Sequence, residues 1–150
     1  MKQLLVMVAA AFFALALTAC DGPQIPMATA ADDAAGKQFQ PPPPGKAGLY
    51  IVAGKVAVLS PITVGNIQAG TLKWNTWLRL DIAPGVYDLR FQGLDNVATL
   101  QLDAAAGELY FVRLNWSGRL PIYHRFELMD STAGRAAVLA GQRAASVASP

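Results

Sequence analysis

The sequence predicts an all-β protein: a small antiparallel β-sandwich of about seven or eight strands with a short C-terminal helix. Three observations predict it. Between Lys46 and Gly141 apolar residues recur with a period of two, the mark of half-buried strands. These runs are short and are separated at regular spacing by Gly, Pro and Asn turn signals. The one long unbroken apolar run, Leu4 to Leu17, lies ahead of the alternating region, and no second run follows it.

Leu49 to Ala53 is apolar throughout and reads as a buried strand. Lys55 to Val64 continues as Val-Ala-Val-Leu and Ile-Thr-Val, broken at Pro61, which predicts a bulge or a sheet edge there. Gly65-Asn66 is a two-residue hairpin signal, since both residues tolerate positive φ. Ile67 to Leu72 is then the return strand, with a turn at Trp74-Asn75. Thr76 to Ile82 alternates, with Leu78, Leu80 and Ile82 toward the core and Trp77, Arg79 and Asp81 toward solvent. Pro84-Gly85 fits a type II turn.

Val86 to Phe91 directs Tyr87, Leu89 and Phe91 inward, and Ala98 to Asp103 does the same with Ala98, Leu100 and Leu102. After a turn at Ala106-Gly107, Leu109 to Asn115 is apolar on both faces. Tyr110, Val112 and Leu114 occupy one face, and Leu109 and Phe111 the other beside Arg113, so cover is expected on both sides. Ile122 to Met129 is the last strand, with Ile122, His124, Phe126 and Leu128 on one side. Asp130 and Ser131 are good N-caps, Arg135 to Ala140 reads as a short helix, and Gly141 stops it.

The flanks differ in kind. Residues 21–45 are rich in Pro, Ala, Gln, Gly and Asp without a hydrophobic period, which predicts a disordered tether. As a flexible coil it would reach about 25–30 Å, with Pro41 to Pro44 as an extended spacer. Residues 142–150 read as a frayed tail.

The run Leu4–Leu17 is too short for a membrane span, which needs about 20 residues, but it suits the apolar region of a signal peptide, with Lys2 as the positive start. Leu17-Thr18-Ala19-Cys20 closes it with the only cysteine of the chain. This tetrapeptide resembles the lipobox of bacterial lipoproteins. The resemblance implies removal of residues 1–19, a diacylglyceryl group on the Cys20 thiol, and acylation of the new amine. Two or more acyl chains hold durably where one does not. A plain secreted protein cut after Ala28-Thr29-Ala30 is the rival, and it needs a long polar stretch broken by Pro23 and Pro26. The implied location is a membrane of the cell envelope, facing the periplasm. Asp21 resembles the inner-membrane retention signal of enteric lipoproteins; inner or outer membrane stays open.

A second resemblance covers most of the alternating region. It rests on Pro-Pro-Pro-Gly-Lys-Ala at 42–47 followed by Leu49-Tyr50-Ile51, and on Ile82-Ala83-Pro84-Gly85-Val86-Tyr87. Ala106 to Arg113 (Ala-Gly-Glu-Leu-Tyr-Phe-Val-Arg) is its most specific part, and Glu127-Leu128-Met129-Asp130 with Gly134-Arg135 closes it. These are similar to domain of unknown function 2846, small bacterial envelope proteins that often carry lipoprotein signals. The resemblance implies a prealbumin-like or Ig-like sandwich at residues 46–141 and assigns no activity, ligand or functional residue. This chain departs from it near Gly65, where a charged hairpin is replaced by Gly-Asn-Ile-Gln-Ala-Gly.

Composition narrows the function classes. The 12 basic residues, one of them Lys2, nearly balance the 10 acidic ones, which argues against a polybasic nucleic-acid binder. His124 is the single histidine, on an apolar strand face, and reads as a packed core residue rather than a catalytic base. One histidine and scattered acids do not make a metal site, so neither cofactor nor catalytic residue is expected. The expected interaction surface is Trp77, Arg79, Arg90 and Arg113, outward on neighbouring strands among Asp81, Asp88 and Asp103. Cross-strand ion pairing is its plain alternative. The leading expectation is therefore a lipid-anchored, non-enzymatic module acting through an envelope protein partner. The alternative is a glycan or peptidoglycan binder using Trp74, Trp77 and Trp116, of which Trp74 and Trp116 sit in turns.

Overall fold

The computed structural model describes residues 24–147. Lys2, the run Leu4–Leu17, Cys20, Asp21 and the last three residues lie outside the described residues. Among the described residues nine strands form two sheets. They are β1 (Ala47–Ala53), β2 (Pro61–Val64), β3 (Ile67–Thr71), β4 (Thr76–Ile82), β5 (Gly85–Gln92), β6 (Val97–Ala104), β7 (Leu109–Trp116), β8 (His124–Met129) and β9 (Gln142–Arg143). Among the described residues two helices accompany them, α1 (Ala30–Gly36) and α2 (Ser131–Ala140). The first sheet has the order β8-β7-β1-β4-β9 and the second β3-β2-β5-β6. The chain is thus a small all-β sandwich with a short C-terminal helix. Most neighbours are antiparallel; β1 with β7 and β4 with β9 run parallel.

The main core lies between the sheets. Leu49, Ile51, Leu78, Leu80, Val112 and Leu114 of the first sheet meet Ile62, Val64, Leu89, Phe91 and Leu102 of the second. These are the positions that a period of two puts on one face of each strand. The hairpin between β2 and β3 turns at Gly65, with φ of 56° at that first central position only. The segment 55–60, expected to be part of a strand, is irregular, and the strand starts at Pro61.

The first sheet is buried on its other face as well. All seven residues of β1 are buried, because Tyr50 and Val52 point away from the main core into a second cluster with Trp77, Phe111 and Val138. Tyr50 and Phe111 stack with centroids 5.0 Å apart, and Trp77 and Phe39 tilt against Tyr50, each at 5.7 Å. The cover for Phe111 is α2. Asp130 caps this helix by accepting from Ala133 N–H, and Gly134 lets the backbone lie directly on the Phe111 ring. The helix starts at Ser131, earlier than the sequence predicts.

The cover for Trp77 and Tyr50 comes from the segment expected to be a disordered tether. Thr29 caps α1 by accepting from Asp32 N–H at 3.1 Å, and Lys37 pairs with Asp33 at 2.8 Å. Gly36 meets the Trp77 ring edge and its carbonyl accepts the Tyr50 hydroxyl at 2.8 Å. Phe39 takes φ of 53°, a costly value for a non-glycine residue, and packs its ring on Tyr50 and Phe111. Upstream, Ile25 is buried in the main core and Met27 bridges Ala144. Composition misjudged this segment because it supplies few apolar side chains, each to a pocket that other elements build.

The expected frayed tail is ordered in its first part for the same reason. β9 pairs in parallel with Thr76 and Trp77, and Ala144 is buried, donating its N–H to Trp77 O at 2.8 Å. Arg143 N–H donates to the Asp33 carboxylate at 2.7 Å. Burial would raise the Asp33 pKa, but Lys37 and Arg143 outweigh it and hold the carboxyl below its ordinary value.

Gly134 offers a test in which the sign decides. Alanine in a helix interior ordinarily gains about 1 kcal/mol over glycine. Here the added Cβ overlaps Cβ and Cγ of Phe111. Gly134→Ala is expected to lower stability by about 1–3 kcal/mol, the usual cost of overpacking, read as a drop in Tm. A rise in Tm would mean that α2 does not seat on Phe111.

Candidate functional site

Three strand ends of the first sheet converge at one end of the sandwich. β1 finishes there at Ala53, the antiparallel β4 begins there at Thr76, and β7, parallel to β1, finishes there at Trp116. The adjoining turns, Gly54-Lys55, Trp74-Asn75 and Gly118, are therefore neighbours although far apart in sequence. With Val52, Arg113, Asn115 and the last turns of α2 they line a groove of about 520 Å³.

Local chemistry sets each side chain. Thr76 Oγ1 accepts Lys73 N–H at 2.9 Å and lies 2.6 Å from Lys73 O, and Asn75 takes φ of 58°. This tight turn holds Trp74 outside the fold, 63% exposed. Asn115 Oδ1 accepts Lys55 N–H at 3.1 Å, joining the β1 and β7 ends and leaving the Asn115 amide group as a donor. Arg113 projects on the α2 side of β7, in register with Glu127. Trp116 is half-buried at the end of β7. Past it lies a second groove of about 540 Å³, lined by Trp116, Ser117, Arg119, Tyr123 and Arg125. The loop that carries Arg119 and Tyr123 is fastened by Ser117 N–H to Tyr123 O at 2.8 Å, and by Ile122 N–H to the Asp95 carboxylate.

The surface expected from the sequence does not assemble. Trp77 is fully buried at the centre of the second cluster, with 0% exposure, because its strand face is covered by α1 rather than by water. Arg79 is occupied: it donates to the Tyr50 hydroxyl at 2.9 Å and to Gln40 O at 3.2 Å, and pairs with Asp81 at 3.3 Å. Burial raises the Tyr50 pKa, with Arg79 acting against it. Arg90 belongs to the other sheet, in register with Thr63 and Thr99. Of the four, Arg113 alone reaches the groove. Trp74, in a turn as the sequence predicts, and Trp116, expected in a turn but the last residue of β7, are brought together. Lys55, Asn115, Arg119, Tyr123 and Arg125 were missed, since nothing local in the sequence says which turns share an end.

A further groove of about 640 Å³ runs along the open part of the β4 edge, past Ile67, Leu80, Ile82 and Tyr87, with Arg79 and Asp81 on its rim. Those two charges are already paired with each other. No helix among the described residues is long and apolar enough to cross a membrane. Among them no three His, Cys, Asp or Glu side chains gather as metal ligands do.

His124 stands opposite Trp116 in the register of β8 with β7, 2% exposed, its ring 4.9 Å from Phe91 and its Nε2 accepting Ala57 N–H at 3.2 Å. Its Nδ1 is buried without a partner. Burial lowers its pKa from 6.5. A folded-state pKa below the unfolded one gives a contribution present in full above about 6.5 and lost as the pH falls through the folded value. His124→Gln, which retains an acceptor for Ala57 N–H, is expected to flatten the acid limb of a Tm-against-pH profile. An acid limb of unchanged slope would clear His124 of that role.

No protein-family model, no curated protein and no solved structure matches this chain, so its functional reading rests on its own residues.

Proposed function

We propose that this chain is a lipid-anchored binding module of the bacterial cell envelope that holds a wall glycan in the groove between Trp74 and Trp116. One observation carries the reading: two tryptophans, one of them 63% exposed, share a groove with Arg113, Lys55 and Asn115. Flat aromatic faces pack against the C–H faces of pyranose rings, and guanidinium and amide groups at the rim meet hydroxyls and fix orientation. This favours the glycan over the protein partner, because the face that would have met a protein has Trp77 inside the fold and Arg79 engaged.

The anchor at Cys20 adds a direction. Residues 26–28 run antiparallel to 143–145, which run parallel to β4. The described chain therefore comes in from the Ile82 side and travels toward the Thr76 end. Three residues separate Cys20 from Gln24, so an acylated Cys20 stays within roughly 14 Å of it. The bilayer is then close to the entering end, and the groove lies at the other end of the strands, facing the wall.

Two measurements test the two halves separately. Trp74→Ala and Trp116→Ala are each expected to cut retention on purified peptidoglycan at least tenfold while leaving Tm within a few degrees of wild type. Undiminished retention in both would refute the glycan site. Cys20→Ala is expected to move the protein from the membrane fraction to soluble periplasm or to leave it unprocessed. Membrane association at mature size would refute the anchor.

A further inference from the structure

We infer that the glycan is anionic and extended, crossing Trp116 so that it occupies both grooves at once. This rests on the glycan reading above and adds the charge and the reach of the ligand. Trp116 forms part of the wall of both grooves, about 520 and 540 Å³, which makes them successive compartments of one surface. Four cations line them, Lys55 and Arg113 on one side, Arg119 and Arg125 on the other, and no acidic residue lines either.

That concentration is local, since the whole chain carries 12 basic against 10 acidic residues. Nor are the cations consumed inside the fold. The ion pairs among the described residues are Lys37–Asp33 and Arg79–Asp81, and none of the four takes part. Glu127 stands in register with Arg113 without an ion pair to it, and the Asp95 carboxylate is occupied by Ile122 N–H. Arginine dominates the set, and its planar fork suits the two oxygens of a carboxylate. Tyr123, 51% exposed, offers a third aromatic face on the far side of Trp116. Three aromatic side chains and four cations thus line the two joined compartments. That composition suits a polymer carrying both ring faces and charged groups, and a single sugar would not fill both volumes.

The probe is one glycan preparation in two forms: soluble peptidoglycan strands with free carboxylates, and the same strands methyl-esterified. Binding is followed by calorimetry on the full chain in detergent at two salt concentrations. The free-acid form is expected to bind at least tenfold more tightly, to weaken with salt, and to weaken further when strands are shortened below four sugars. Arg113→Gln combined with Arg125→Gln is expected to abolish the difference in affinity between the free acid and the ester. Trp-dependent binding that is equal for both forms would overturn the anionic assignment and leave the glycan site standing. Binding of neither form would remove the glycan reading itself. Salt-sensitive binding that survives Trp74→Ala and Trp116→Ala would be general attraction between charges, and would overturn both.

Discussion

Burial of the central strands of one sheet on both faces is the constraint from which the rest of this molecule follows. β1 has no exposed residue, so Tyr50, Trp77 and Phe111 need a cover that the second sheet, on the opposite side, cannot give. Large aromatic side chains bury about 150–250 Å² each, worth several kcal/mol per ring at about 25 cal/mol per Å². An uncovered face would forfeit that for three rings. α2 covers Phe111; α1 with Phe39 covers Trp77 and Tyr50. Neither helix is long enough to be stable by itself, so each owes its existence to the face it closes. Arg79, Arg135 and Arg143 finish the arrangement, lying 4.7–5.6 Å from the Tyr50, Phe39 and Trp77 ring centroids.

The protein therefore holds two aromatic groups with opposite fates. Tyr50, Trp77 and Phe111 are inside and stack on one another. Trp74, Trp116 and Tyr123 stand at one end of the strands with partly or largely open faces. Scattered exposed apolar residues are ordinary on any protein, but a cluster of aromatics beside unpaired cations is not. Its placement on strand ends, with turns fixed by Thr76, Asn115 and Ser117, gives these side chains a rigid base.

Much of the fold was legible because a period of two assigns faces without any knowledge of partners. Leu78, Leu80 and Ile82 point into the main core as the alternation of β4 requires, and Phe111 is covered as its two-sided strand requires. The failure at Trp77 has a definite cause. Alternation says that a side chain is on the second face of a strand, and it does not say whether that face meets water. The covering segment, Ala-Ala-Asp-Asp-Ala-Ala-Gly, has no hydrophobic period of its own. Its helix signals were nonetheless present, with Thr29 three residues before Asp32 and Asp33 four before Lys37. The site was half legible. That Trp74 lies in a turn can be read locally; Trp116, expected in a turn, is instead the last residue of β7, and the convergence of the two depends on the parallel pairing of β1 with β7, a long-range contact that no local pattern encodes.

The place of residues 142–144 has a consequence for how the molecule is made. They lie between β4 and the incoming segment at 26–28, so a late-synthesised stretch separates an early one from the sheet. Until Ala144 has emerged from the ribosome, Met27 has no bridge partner and β4 has a bare rim. Residues 26–28 cannot dock before residues 143–145 are in place, so a product truncated ahead of residue 142 would display the unpaired rim.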